Sequence, residues 1–183
     1  MMKRDALITV FRRGLLALCG VVSLGSQAVD VNFTGNLINN PPCDVSGPDG
    51  PNQPIKVTFN ELGITKIDGL GDKTEYGRQD FTLTLSCGVG LGNEVALYFE
   101  YRGMSASFDP SNKTLQASQA GLGIRLYHKG VLIAPNSGTP MKMSDNGVLT
   151  LPLYAVPVKD TKPGVTLYED EFTANASVEM NYP

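Results

Sequence analysis

From residue 171 to the C-terminus, apolar and polar positions alternate without a break. Phe172, Ala174, Ala176, Val178, Met180 and Tyr182 fall on one side, and Thr173, Asn175, Ser177, Glu179 and Asn181 on the other. Side chains along a strand point alternately to its two faces, so the pattern predicts a strand with one buried and one wet face. The run from Val29 to Leu37 behaves alike. Val29, Val31, Phe33 and Leu37 share a face, which Gly35 interrupts. Between these two runs lie further alternating sets: Ile55, Val57 and Phe59; Phe81, Leu83, Leu85 and Cys87; Val95, Leu97 and Phe99; Leu149, Leu151 and Leu153. Ile124 to Tyr127 and Val131 to Ile133 flank His128-Lys129-Gly130, the pattern of a hairpin with a glycine turn.

The gaps hold the breakers. Pro41-Pro42 precedes Cys43, Gly47 to Asn52 reads as an irregular loop, Ile67 to Gly77 is rich in glycine and charge, and Met104 to Gly121 is long and polar. Pro152 and Pro157 mark their strand as an edge or a switch between sheets. No segment keeps a 3.6-residue apolar period. About seven short strands predict an all-β sandwich in one domain, with no repeat and no linker.

Residues 1–28 change the picture, because they read as a secretory signal. Lys3, Arg4, Arg12 and Arg13 give a basic start, Gly14 to Gly25 is a short apolar core, and Ser26-Gln27-Ala28 offers small residues for cleavage. The alternative is a membrane anchor, for which the apolar run is short of the ~20 residues needed. Cleavage after Ala28 removes four basic residues and Asp5, leaving 11 basic against 17 acidic side chains. That balance excludes a basic nucleic-acid footprint. Cys19 leaves with the signal. Cys43 and Cys87 then remain in an exported chain, where two cysteines most simply form one disulfide. Two cysteines and one distant histidine do not make a zinc set.

Enzyme chemistry finds no constellation. His128 is the single histidine and falls in the hairpin turn. No G-x-S-x-G, H-E-x-x-H or phosphate-loop pattern occurs. Glu169, Asp170 and Glu171 cluster before the last strand and read as a solvated loop in preference to a calcium site. No cofactor is expected.

Five segments, in order, resemble the subunits of chaperone–usher fimbriae, of the type 1 and P-pilus kind. They are Asp30 to Leu37 leading to Pro42-Cys43; Phe81 to Cys87; Gly121-Leu122-Gly123-Ile124-Arg125-Leu126; Leu151 to Ala155; and Phe172 to Tyr182 with its penultimate aromatic. The resemblance implies an immunoglobulin-like sandwich that lacks its final strand. It implies a signal peptide over 1–28, a donor-strand extension over 29–40 and the pilin domain over 41–183. Val29, Val31, Phe33, Gly35 and Leu37 would then insert into a neighbouring subunit. The alternative is an ordinary first strand of their own domain. Phe172, Ala174, Ala176, Val178, Met180 and Tyr182 would line the groove and meet a periplasmic chaperone, with the Pro183 carboxylate held by basic groups of that chaperone. The implied partners are that chaperone, an outer-membrane usher and neighbouring fimbrial subunits, including an adhesin. The implied role is structural, in a minor tip or adaptor subunit of an adhesive fimbria at the cell surface. The rival is a stand-alone secreted carbohydrate-binding module, against which the absence of Trp speaks.

Overall fold

The alternating runs pair into two sheets that face each other across one apolar core. The computed structural model describes residues 43–51, 53–71, 75–87, 96–144 and 146–181, all within the compact unit Ile38–Pro183. Residues 1–28, expected to be a signal, the run 29–40, Val95, Tyr182 and Pro183 lie outside the described residues.

The larger sheet contains β1 (Asp44–Gly47), β2 (Gly50–Pro51), β3 (Gln79–Ser86), β5 (Leu115–Gln116), β6 (Leu122–His128), β7 (Val131–Ile133) and β9 (Val148–Lys159). Its order is β2-β1-β3-β9-β6-β5, with β7 also on β6. The smaller sheet runs β10 (Ser177–Asn181), β4 (Ala96–Arg102), β8 (Thr139–Lys142). Every pairing is antiparallel. One short 3-10 turn, Ile64–Lys66, is the only helical element among the described residues.

The period-2 pattern explains the layers. Leu83, Leu85, Leu151, Leu153, Ala155, Ile124 and Leu126 from the large sheet meet Phe99, Tyr101 and Met141 from the small one, all buried. Cys43 and Cys87 are joined by a disulfide, as the cysteine count implies. The bridge closes a separation of 44 positions, a constraint on the unfolded chain of about 4 kcal/mol in the chain-entropy account. It adjoins a small cluster of Leu97, Met143 and Met180 at one end of the sandwich. A cluster of Ile67, Ala117, Leu122 and Leu167 marks the other end.

The hairpin forms as its sequence predicts. His128 pairs with Val131, and Lys129 and Gly130 take positive φ values of 49° and 79°, the two-residue turn that matches strand twist.

Pro152 and Pro157 correct the sequence expectation, because β9 is neither an edge nor a switch but lies between β3 and β6. The registers show how two prolines fit there. β6 pairs with β9 only from Leu153 onward, so Pro152 lies beyond its end, where His128 Nδ1 approaches the Pro152 carbonyl at 2.8 Å. β3 pairs with β9 only as far as Ala155, so Pro157 lies beyond that neighbour. Each proline has a strand on one side alone, and no ladder bond is lost.

A buried polar network fastens the 103–116 loop to the outer face of β6. Asp109 accepts bonds from the Ser111 amide and hydroxyl, the Lys113 amide and the Thr114 hydroxyl. Arg125 donates to Thr114 Oγ1 at 3.1 Å and to the Leu70 carbonyl, and its Nη2 lies 3.5 Å from Asp109 Oδ2. Asp109 and Arg125 are only 3% and 8% exposed. Burial by itself would raise the Asp109 pKa. The bonds from Ser111 and Thr114 and the Arg125 charge outweigh it and lower the value to about 2.

Candidate functional site: a groove between two apolar runs

Residues 54–60 alternate in burial but carry no ladder among the described residues. Ile55, Val57 and Phe59 are half-buried while Lys56, Thr58 and Asn60 are exposed, the alternation the sequence predicts. Yet these residues belong to no strand, and among the described residues they make no main-chain hydrogen bond to one another or to another segment. The strand expected there has no ladder among the described residues. Alternation records which side faces the core. It does not supply a neighbour. Buried or half-buried backbone groups need partners, and among the described residues this run has no neighbouring strand.

The C-terminal run forms the opposite wall. Phe172, Ala174, Val178 and Met180 are half-buried against the same core cluster as Ile55, Val57 and Phe59. β10 pairs with β4 alone, so among the described residues its other edge is open. Phe59 and Phe172 touch across the groove with ring centroids 5.8 Å apart. The two walls run in opposite directions. The chain passes from the disulfide cluster to the Ile67 cluster through 43–67, and back through 172–181.

The strand expected over 171–183 begins only at Ser177. The reason is local. Thr173 turns away from β4 and bonds residue 118 twice: its carbonyl accepts from the Ser118 amide at 2.7 Å, and its amide donates to Ser118 Oγ at 3.0 Å. Gly103 permits the crossing, because a Cβ there would sit 2.8 Å from the Asn175 carbonyl and 2.4 Å from Leu115. Ala176 lies over Gly103 and is exposed, so it leaves the apolar face on which sequence alternation puts it. Beyond it, β10 is latched on its wet face. Glu179 and Glu100 are direct neighbours, and Arg102 bridges both, at 3.4 and 3.1 Å.

The structure therefore brings together Phe172, Ala174, Val178 and Met180, and sets Ala176 apart. It places Cys43 and Cys87 at the Met180 end of the groove. Tyr182, Pro183, Val29, Val31, Phe33, Gly35 and Leu37 lie outside the described residues. The second wall, Ile55, Val57 and Phe59, is not distinguishable from an ordinary strand in the sequence. Among the described residues no cluster of His, Cys, Asp or Glu could hold a metal, and no helix is long and apolar enough to cross a membrane.

A family model described as fimbrial protein matches residues 31–183. An uncharacterized fimbrial-like protein of Escherichia coli K12, YfcQ, is 29% identical over 122 residues, covering 65% of this chain and 68% of that protein. Among solved structures, the P pilus rod subunit PapA aligns with a TM-score of 0.60 at 18% identity, over 78% of this chain and 99% of that one. A subunit from a structure of a chaperone–usher pilus aligns with a TM-score of 0.59 at 17% identity, over 88% of this chain and 99% of its own. These likenesses establish the immunoglobulin-like all-β fold expected from the sequence. The chain belongs to the fimbrial protein family, as a structural, non-enzymatic subunit of a chaperone–usher fimbria at the cell surface.

Proposed function

We propose that this subunit joins its fibre by donor-strand exchange, with the groove between 54–60 and 172–181 as acceptor and residues 29–37 as donor to the preceding subunit. The observation that carries this is the ladderless run 54–60, which presents Ile55, Val57 and Phe59 half-buried beside the open edge of β10. An inserted strand would bury both walls and satisfy both backbones, the economy of strand addition between molecules. Val29, Val31, Phe33 and Leu37 have the matching period. Each would contribute up to about 1.5–3 kcal/mol on full burial. Gly35 suits a shallow point of the groove.

A periplasmic chaperone fills the groove first and an outer-membrane usher mediates the exchange. Tyr182 extends the apolar wall and the Pro183 carboxylate meets basic groups of the chaperone. The subunit takes a minor place near the tip, as a tip or adaptor subunit. The Pro-Pro-Cys entry and the Gly-Asn-Leu after Phe33 support that position.

Val178→Asp tests the acceptor wall. A charge under an inserted strand costs several kcal/mol, so the yield of chaperone-bound subunit should fall at least about tenfold. Glu179→Gln, on the wet face, should change it little, because exposed ion pairs contribute about 0–1 kcal/mol. Equal yields from both variants in a pull-down on the chaperone would overturn the assignment of this edge.

A further inference from the structure

Two surface features of opposite charge lie away from the groove. The first is an open cleft of about 430 Å3 beside the hairpin. It forms where β9 outruns β6, since residues 148–152 pair with β3 alone. β8, on its far side, pairs with β4 alone. Buried Met141 and Leu151 make its floor, and Val131 stands 67% exposed at its mouth. His128, Lys129 and Lys142 line its rim. Neither lysine has an ion-pair partner among the described residues.

The second feature is the segment 168–171. Tyr168 is 60% exposed, yet its backbone is clamped. The Tyr168 amide donates to Gln119 Oε1 at 3.0 Å, and its carbonyl accepts from Gln119 Nε2 at 3.1 Å. Gln119 itself is 4% exposed. Beside Tyr168 stand Glu169, Asp170 and Glu171, all exposed and without an ion pair among the described residues. An aromatic side chain on a backbone already ordered by folding is a preorganised anchor, because docking it immobilises little else.

We propose that Tyr168 and the carboxylates of 169–171 of one copy dock into the His128–Lys129–Lys142 cleft of the next copy along the fibre. Apolar ring meets apolar floor, and three carboxylates meet a basic rim. The contact cannot close within one molecule. β9 runs from the cleft at Leu149 to Lys159, about 33 Å at the strand rise. At that far end the Asp160 amide bonds Gly121, and Leu167 packs beside Leu122. The acidic segment and the basic cleft therefore sit toward opposite ends of the domain. Two unlike patches at opposite ends make a head-to-tail contact, which propagates in a line and does not close into a dimer. The proposal rests on the assembly reading above, and needs at least two successive copies.

Zero-length carbodiimide coupling of fimbriae built from the unmodified full chain tests it. Mass spectrometry should find isopeptide bonds joining Lys129 or Lys142 to a carboxylate within 169–171. About 1 M salt, where the screening length shrinks to about 3 Å, should lower their yield at least fivefold. Tyr168→Ser should lower it comparably at low salt, with polymer length retained. Fimbriae that form but lack these bonds, or yield them regardless of salt and Tyr168, would overturn the contact alone. A chain that forms no polymer of its own would overturn the contact, which needs two successive copies, whereas the donor-strand reading fails only if the chain does not insert into any chaperone-bound preceding subunit.

Discussion

A Phe33→Asp subunit is expected to fold on its chaperone and then fail to enter the groove of the subunit before it. Its own groove, bounded by 54–60 and 172–181, is untouched. The donor strand loses the burial of an aromatic ring, about 1.5–3 kcal/mol. It also carries an unpaired charge into an apolar site, at a cost of several kcal/mol more. At 1.4 kcal/mol per decade, these losses together correspond to a fall of at least about a thousandfold in insertion into a chaperone-bound acceptor subunit. Asn32→Asp changes the wet face of the same strand and should leave insertion within about twofold. The time course of the two-subunit product on gels reads both. Insertion of the Phe33→Asp subunit at the unaltered rate would place the strand's register or its role elsewhere.

The second large effect is expected far from the groove, at Asp109. Asp109→Ala strips four hydrogen bonds from the 109–114 loop and leaves Arg125 buried without its carboxylate. Breaking a buried pair on one side costs about 3–5 kcal/mol, which should appear as a lower guanidinium midpoint with an unchanged slope. Arg125→Met should cost less, because Asp109 keeps its loop partners. The pH dependence has a definite sign. Asp109 has a folded pKa lowered to about 2, against about 3.9 in an unfolded chain. Its contribution, about 2–3 kcal/mol, is therefore complete above the unfolded value and is lost as pH falls from about 4 to 2. Asp109→Asn should flatten that part of the acid profile. An identical acid slope in the variant would remove Asp109 from the account.

Periodicity made most of this fold legible. Phe81 to Cys87, Leu149 to Leu153 and the Lys129-Gly130 hairpin form as their patterns require, because burial of one face selects the register. What periodicity reports is the side that faces the core. It says nothing of the neighbour, and so Ile55, Val57 and Phe59 read as one more strand when among the described residues they have no ladder. Ala176 shows the same limit, since the departure of 172–176 from β4 depends on Gly103 and Ser118, distant in sequence. The prolines of β9 misled because their effect depends on where β3 and β6 stop. Arg125 left one trace, a charge inside the apolar run 122–126. Its partner Asp109, in a polar loop, left none.

Deleting residues 29–37 tests the central claim most directly. The deleted chain, co-expressed with the chaperone, should be recovered as a folded complex with the Cys43–Cys87 bridge intact. Thiol labelling of the denatured, unreduced protein would find no free cysteine at 43 or 87. Offered to a chaperone-bound preceding subunit, it should give no insertion product, while the groove it carries still accepts the 29–37 strand of a following subunit. If the deletion instead unfolds the chaperone-bound subunit, or leaves insertion into its neighbour unimpaired, residues 29–37 are not the donor strand and assembly by their exchange is wrong.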